Sequence, residues 1–327
     1  MPRALWEKIL RELGGKKMTS SVMFHLTGEP LMHREVLDAI RFANTQGLSV
    51  SLYTNGAMLD EKTSEKLLDA LRVGRVVLSL QSTDQSAFPA RSRQSLSWDE
   101  YASRLRRFAV KAEEAGRNVQ VHVLADIGTL GWNVAAIRRE RARIQAIYDE
   151  WRLAMGQTGK HRINILDPSR SYPLGRTVSF FVKHKGTWDN RHIGDDMEAI
   201  RTDHGHCAMM TDTFAVLADG TCTYCCCDYE GELNLGDAHT SSLEDIYYGS
   251  KATAIRLAGK ENRLIEDRCR LCRGALIYKK TGKMVRVRNP FTDYYLYISH
   301  AGQYGVRSAL AKVMENLRRR IAHLCRS

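Results

Sequence analysis

The 327 residues, 43% of them apolar, have the composition of a soluble globular protein with enough apolar side chains for one large core or two smaller ones. No run of about 18 apolar residues occurs, and the opening MPRALWEKILRELGGKK is charged and amphipathic, which excludes a membrane span or secretory signal core there and points to the cytoplasm. The formal charge of +12 suits an anionic partner, but the basic residues are spread through Arg72 to Arg117 and Arg138 to Arg143 as solvated helix faces, with no RNA-binding aromatic motif, so nucleic acid is not expected.

In chain order, Leu5, Ile9, Leu10 and Leu13 mark a first helix closed by Gly14 and Gly15, and Val22 to Leu26 reads as a strand. A helix over about 33–46 puts Val36, Leu37, Ile40 and Ala43 on one face, and Leu48 to Tyr53 is the next strand. The unit repeats as helix 60–71, strand Arg75 to Leu80, helix 97–115, strand Val119 to Leu124, helix 134–155 and strand Arg162 to Leu166. Such alternation implies right-handed βαβ units and a parallel sheet, as an α/β barrel or an open doubly wound sheet.

Ligands of such sheets lie at the carboxyl ends of the strands, which here carry Thr27-Gly28-Glu29-Pro30, Thr54-Asn55-Gly56, Gln81-Ser82 and Ala125-Asp126. Gly28 admits close approach of a ligand to the backbone, Glu29 can accept hydrogen bonds from an ammonium group, and Asn55 can present an amide to a ribose. Taken singly, TNG reads as a turn and TGEP as a strand-to-helix connection.

The connection 167–206 is irregular, with one short strand at Val178 to Val182, and is expected to cover the barrel mouth. Beyond it, Phe214 to Leu217 and Thr221 to Tyr224 form a hairpin that returns Cys225 towards Cys207, and a helix over about 242–258 leads to Cys269 and Cys272 in CRLC. Four thiolates in two distant pairs, the last as C-x-x-C, suit a tetrahedral zinc or an iron–sulfur cluster. Cys226 is an alternative to Cys225; Cys222 and Cys227 read as packing cysteines, Cys325 as a lone tail thiol, and His204 and His206 as solvated loop histidines. In the tail, Val306, Leu310, Val313, Leu317, Ile321 and Leu324 share a helical face amid basic residues, a pattern for packing on the barrel or for docking on an anionic membrane surface or a protein.

The stretch FHLTGEPLMHREVLDAIRFANTQGLSVSLYTNGAMLD resembles the second βα unit and third strand of the radical SAM enzymes, whose G-G-E-P motif appears as Thr27-Gly28-Glu29-Pro30. The resemblance implies a partial (β/α)6 barrel. It places Gly28 and Glu29 at the methionine amino group of S-adenosylmethionine, with Thr27, Pro30 and Asn55 in the same cofactor site and Ser79, Gln81 and Ser82 near the ribose and carboxylate. The family's C-x-x-x-C-x-x-C loop has no counterpart, since no cysteine precedes Cys207, and the chain opens inside what would be the helix after that loop. A start assigned too far downstream or a truncated gene is the expectation, ahead of a split protein or a non-catalytic relative.

The cysteine pattern resembles the SPASM and twitch domains of the same enzymes, whose spacing Cys207, Gly220, Cys225, Cys269 and Cys272 fit, with Tyr278 where a further cysteine would stand. It implies one auxiliary [4Fe-4S] cluster held by Cys207, Cys225, Cys269 and Cys272, for electron transfer or structural anchoring. The expected organisation is a partial barrel over 1–166, a lid over 167–206, an α+β iron–sulfur domain over 207–289 and a basic tail over 290–327. The implied activity is that of a radical SAM/SPASM oxidoreductase or maturase: reductive cofactor cleavage and hydrogen abstraction from a peptide or small metabolite, with a reductant such as flavodoxin or ferredoxin. The alternatives are a non-catalytic iron–sulfur binding protein or partner of an active radical enzyme, and a zinc-stabilised binding module.

Overall fold

The structure, a computed structural model, describes residues 1–25, 28–80, 82–83, 88, 96–125, 134–167, 170–184, 193–205, 207–282 and 284–285. Thr27, Gln81, Asp126, His206 and the tail from 290, including Cys325, lie outside the described residues.

The first half alternates as the hydrophobic periodicity demands. Helix α1 (Arg3–Gly15) precedes strand β1 (Ser21–Phe24), a 3-10 turn (Pro30–Met32), α2 (Val36–Thr45), β2 (Ser49–Thr54), α3 (Glu61–Ala70), β3 (Gly74–Leu80), α4 (Trp98–Glu114), β4 (Val119–Ala125) and α5 (Val134–Ala154). The helix starts are set by capping side chains: Asp60 accepts from the Thr63 amide at 2.7 Å and Ser97 from the Glu100 amide at 3.2 Å.

Two further strands, β5 (Ser171–Pro173) and β6 (Val178–His184), complete a six-stranded sheet of order β1-β2-β3-β4-β6-β5, parallel except for the β5 edge. In β4, Val119, Val121, Val123 and Ala125 are buried while Gln120, His122 and Leu124 alternate with them on the other face; β6 repeats the pattern with Val178, Phe180 and Val182 buried. Helices therefore cover one face of the sheet, with Leu52, Leu78, Leu105, Phe108, Val121 and Phe180 in one core, and the opposite face carries polar and aromatic side chains.

Two expectations change. Residues 162–166 form no strand, although Ile163 and Ile165 are buried. Side chains satisfy their backbone instead of a ladder: the Asn164 amide donates to the Tyr172 hydroxyl at 2.8 Å, that hydroxyl donates to the Asn164 carbonyl at 3.0 Å, and the Ile163 amide donates to Gln145 at 3.1 Å. The place beside β4 is taken by Val178–His184, in register from Val119↔Val178 to Ala125↔His184. The α/β sheet thus runs past residue 166, into the segment expected to be a lid.

The cysteine-rich half contains β7 (Met197–Ile200), α6 (Met209–Asp212), β8 (Ala215–Val216), β9 (Thr221–Thr223), β10 (Gly236–Asp237), α7 (Leu243–Tyr248), α8 (Ser250–Lys260), α9 (Asp267–Cys272), β11 (Ala275–Tyr278) and β12 (Met284–Val285). The β8–β9 hairpin pairs antiparallel as expected, with β10 on its far side. The helix expected over 242–258 is two helices, because Gly249 leaves the helical region with ψ 156° between them. Strand β7 pairs with β11, so the end of the connecting segment belongs to the cysteine-rich half.

Helix α1 joins the halves. Trp6 and Leu10 pack into the sheet core, while Leu5 and Ile9 pack with Cys222, Ala238, Leu243 and Ile246. Lys8 donates to the Ala238 and Ser241 carbonyls, and Lys16 pairs with Glu244 at 2.6 Å. Leu5→Ala is predicted to cost about 2–5 kcal/mol in chemical denaturation, the range for a buried leucine leaving a cavity; a loss below about 1 kcal/mol would show that the contact does not hold the halves together.

Candidate functional site

At the carboxyl ends of β1 and β2, one carboxylate organises two loops. Glu29 caps the Pro30–Met32 turn: its Oε1 accepts from the Leu31 amide at 3.1 Å and the Thr54 hydroxyl at 2.7 Å, and its Oε2 accepts from the Asn55 amide at 2.7 Å. Thr54 Oγ1 accepts in turn from the Gly56 amide at 2.9 Å, and Asn55 Oδ1 from the Ala57 amide at 2.9 Å. The Tyr101 hydroxyl of α4 lies 2.8 Å from the Asn55 carbonyl and 2.9 Å from the Ser79 carbonyl, linking the second loop to β3. Gly56 has φ +75° and a Cβ there would stand 1.9 Å from Leu105 Cδ2, so this turn has room for no side chain.

Gly28, Glu29, Pro30, Asn55 and Ser79 are thereby gathered at adjoining strand ends, and Ser82 lies buried just past β3. The residues present fit an aminoacyl ligand group. Among the described residues, three of the roughly four acceptor positions of the Glu29 carboxylate are taken, leaving one for an ammonium. Gly28, at φ +115°, has no atom of the described residues within 4 Å of where a Cβ would stand, so the backbone there is open to a ligand.

Across the sheet face opposite the helices runs a row that sequence reasoning missed. His25 stacks on Tyr53 with ring centroids 4.4 Å apart, His122 meets Tyr53 edge-on at 6.3 Å and Phe181 at 5.2 Å, and the Lys183 ammonium lies 5.0 Å from the Phe181 ring centre. His122 stands opposite Ser79 in the β3–β4 register, which joins the row to the strand-end loops. Burial, then the charges of Lys183, Arg75 and His25, push the His122 pKa down to about 3, so the imidazole is neutral near pH 7. Burial also lowers the Lys183 pKa. The available signal was the alternation in VQVHVLA and VSFFVKH, which puts Gln120 with His122, and Ser179 with Lys183, on the face opposite the buried valines.

In the cysteine-rich half the chain returns its sulfurs to one neighbourhood. Cys269 and Cys272 sit three residues apart on α9, hence on one helix face; Cys207 precedes α6 and Cys225 follows β9. Burial pushes the Cys269 pKa up to about 12; the hydrogen bond with Tyr224 lowers it in part, and the charges of Cys225, Cys207 and Cys272 raise it further. The four expected ligands therefore act on one another around Cys269. The Tyr224 hydroxyl lies 2.9 Å from Cys269 Sγ.

Cys226 also meets Cys227, with sulfurs 3.8 Å apart. A hydrogen bond from the Cys227 thiol holds the Cys225 pKa down at about 7 against burial, aided by the Cys227 amide and the Arg268 charge. Arg268, itself buried, donates to Asp228 at 2.9 Å and Glu232 at 3.0 Å, and to the Cys227 carbonyl. Cys222 is fully buried, its pKa pushed up to about 12 by burial, in the packing role expected of it. His204 makes a backbone bridge to Arg263. Among the described residues no three His, Cys, Asp or Glu side chains stand close enough to hold a single metal ion. The shared neighbourhood offers four thiols, the donor set of an iron–sulfur cluster.

A buried histidine kept neutral gives a sign to acid sensitivity. The folded pKa of His122 is below the ordinary 6.5, so the unfolded chain binds the proton first and stability falls as pH drops from about 6.5 towards about 3. His122→Gln is predicted to flatten this fall in denaturation curves taken across that window; parallel curves for variant and wild type would contradict the burial argument.

Residues 207–273 match the SPASM family, an iron-sulfur cluster-binding domain, and this span contains Cys207, Cys225, Cys269 and Cys272. Among solved structures, SuiB of Streptococcus suis superposes with a TM-score of 0.50 at 15% identity, over 79% of this chain and 62% of that one. This chain therefore spans less than two thirds of SuiB, and at 15% identity the likeness is one of fold. BtrN, solved in complex with AdoMet and 2-DOIA, aligns with a TM-score of 0.47 at 13% identity over 84% of this chain and 79% of its own. A histidine-tagged anSMEcpe with bound AdoMet aligns with a TM-score of 0.47 at 13% identity over 95% of this chain and 90% of its own. No curated protein matches the sequence. Residues 207–273 thus match the SPASM iron–sulfur cluster-binding domain, joined to a mostly parallel α/β sheet, and the chain has a fold like that of SuiB.

Proposed function

We propose that this chain serves a cytoplasmic radical SAM/SPASM-type oxidoreductase or maturase acting on a peptide or small metabolite, with an electron donor such as flavodoxin or ferredoxin. The observation that carries the reading is the pairing, in one chain, of a strand-end carboxylate with an acceptor position to spare and a four-thiol neighbourhood inside the SPASM match. In this class, bound S-adenosylmethionine and its cluster supply hydrogen abstraction, and an auxiliary cluster supplies an electron-transfer centre or a structural anchor. No C-x-x-x-C-x-x-C occurs within these 327 residues, so the contribution argued for this chain is the cofactor cradle, the inner sheet face and the auxiliary site.

Each part has a physical task. Glu29 takes the cofactor's ammonium, Gly28 lets it approach the backbone, and Tyr101 with Thr54 holds both loops in place. Ser79 and Ser82 lie at the end of β3, and the motif adds Thr27 and Gln81, which lie outside the described residues, to the expected set. His122 presents a neutral imidazole to a substrate on the sheet face, as a hydrogen-bonding group. Cys207, Cys225, Cys269 and Cys272 hold one auxiliary [4Fe-4S] cluster. There the Tyr224 hydroxyl donates to a ligand sulfur, which raises a cluster's reduction potential. Peptide and small-metabolite ligands are both found among the structural neighbours: SuiB has been solved bound to precursor peptide SuiA, and BtrN with 2-DOIA.

Glu29→Gln is predicted to weaken S-adenosylmethionine binding, measured by calorimetry, about 10- to 100-fold, the loss expected when a hydrogen bond to a charged group is removed. Iron content is read in parallel and stays at the wild-type level. Equal affinity in a variant that keeps the wild-type melting temperature would sink the cradle assignment.

A further inference from the structure

Between α5 and the loop that follows it lies a groove of about 720 Å3, within the size range of ligand sites. It is held open by the chain's own bonds. Arg152 donates to the Gly159 carbonyl at 2.8 Å and the Thr158 carbonyl at 3.2 Å, and Gln145 clamps the loop by donating to the His161 carbonyl at 2.8 Å while accepting from the Ile163 amide at 3.1 Å. The loop is thus fixed against the helix by side chains that also line the groove.

The groove's charge is one-sided. Arg138, Arg141, Arg152, Lys160 and Arg162 line it, against Asp149 as its one acid, and Asp149 already accepts from Gln145 at 3.0 Å. Among the described residues, Arg138, Arg141, Lys160 and Arg162 make no ion pair; exposed Lys62, Lys66 and Lys260 elsewhere make none either, but the groove's cations line one concavity. Four unpaired cations around one concavity repel one another, and an anionic partner relieves that repulsion.

We propose that this groove docks an acidic peptide segment. Arg138 and Arg141 are three apart on α5, so their side chains are neighbours about 5–6 Å apart at the Cβ atoms. In an extended peptide, alternate side chains point the same way about 6.6–6.8 Å apart, so two carboxylates spaced i, i+2 match the pair. Leu153, 71% exposed on the groove wall, offers an apolar side chain of the peptide a place to rest. Among the described residues no Phe, Tyr or Trp lines the groove, the side chains on which bases of single-stranded nucleic acid stack best, and its concavity is the wrong shape for a membrane surface. The inference extends the proposed function and does not depend on the cluster or on cofactor binding.

The test uses the full chain and a fluorescein-labelled twelve-residue peptide of alternating glutamate and serine with one leucine, followed by anisotropy at two salt concentrations. Binding is expected to be saturable, weakened by salt, and at least tenfold weaker in Arg138→Gln/Arg141→Gln/Arg162→Gln. The control Lys62→Gln/Lys66→Gln/Lys260→Gln removes the same charge elsewhere and keeps the affinity. The proposal is overturned if wild type fails to bind, if the control loses as much as the groove variant, or if a single-stranded oligonucleotide or phosphatidylserine vesicles displace the peptide preferentially. Melting temperature and iron content are read on every variant. Loss of peptide binding with both retained assigns the loss to the groove, and a failure of the cluster assignment shows only in the iron.

Discussion

The cofactor-side architecture depends on the Glu29 carboxylate. Parallel strands end in loops with no ladder to hold them, and here one side chain from the loop after β1 takes up donors from its own turn and from the end of β2. Hydrogen bonds to an ionised carboxylate are about twice as strong as neutral ones, so three of them fix the loops more firmly than backbone contacts alone. Tyr101 extends the tie to β3, and the β3–β4 register carries it to His122. Among the described residues the Glu29 carboxylate keeps one acceptor position open, so under the proposed function positioning and binding are served by one residue.

The cysteine-rich half uses a different device. Its hydrophobic clusters are small, so the CCC loop is fixed by the buried Arg268, bonded to Asp228 and Glu232. Asp228 in turn accepts from the Thr223 hydroxyl at 2.8 Å and from the Glu232 and Leu233 amides. Buried charges are costly unless paired and fully bonded, and removing either partner would strand the other. This network sets Cys225 and Cys227 beside the helix that carries Cys269 and Cys272. Helix α1 then packs the whole half onto the sheet, so the thiol neighbourhood and the strand-end cradle belong to one folded body.

Much of this was legible in the sequence because its causes are local. Period-two and period-3.6 patterns marked β1 to β4 and the helices around them, and cysteine spacing pointed to Cys207, Cys225, Cys269 and Cys272 as a set. What escaped was decided by distant groups. Ile163 and Ile165 alternate as a strand would, yet Tyr172 and Gln145 satisfy that backbone and β6 takes the place beside β4. Nothing near Glu29 in sequence announced that Thr54 and Asn55 would occupy most of its acceptor capacity. The row of His25, Tyr53, His122 and Phe181 comes from three strands and the end of β1, and only the sheet register brings it together.

The most direct test of the central claim is anaerobic reconstitution of the full chain with iron and sulfide, followed by metal analysis and low-temperature electron paramagnetic resonance after reduction. The account predicts iron and acid-labile sulfide in equal amounts and a reduced [4Fe-4S] signal that is lost in Cys269→Ala and Cys225→Ala and kept in Cys226→Ala. Zinc without sulfide, or a signal lost with Cys226 and kept without Cys225, would contradict it.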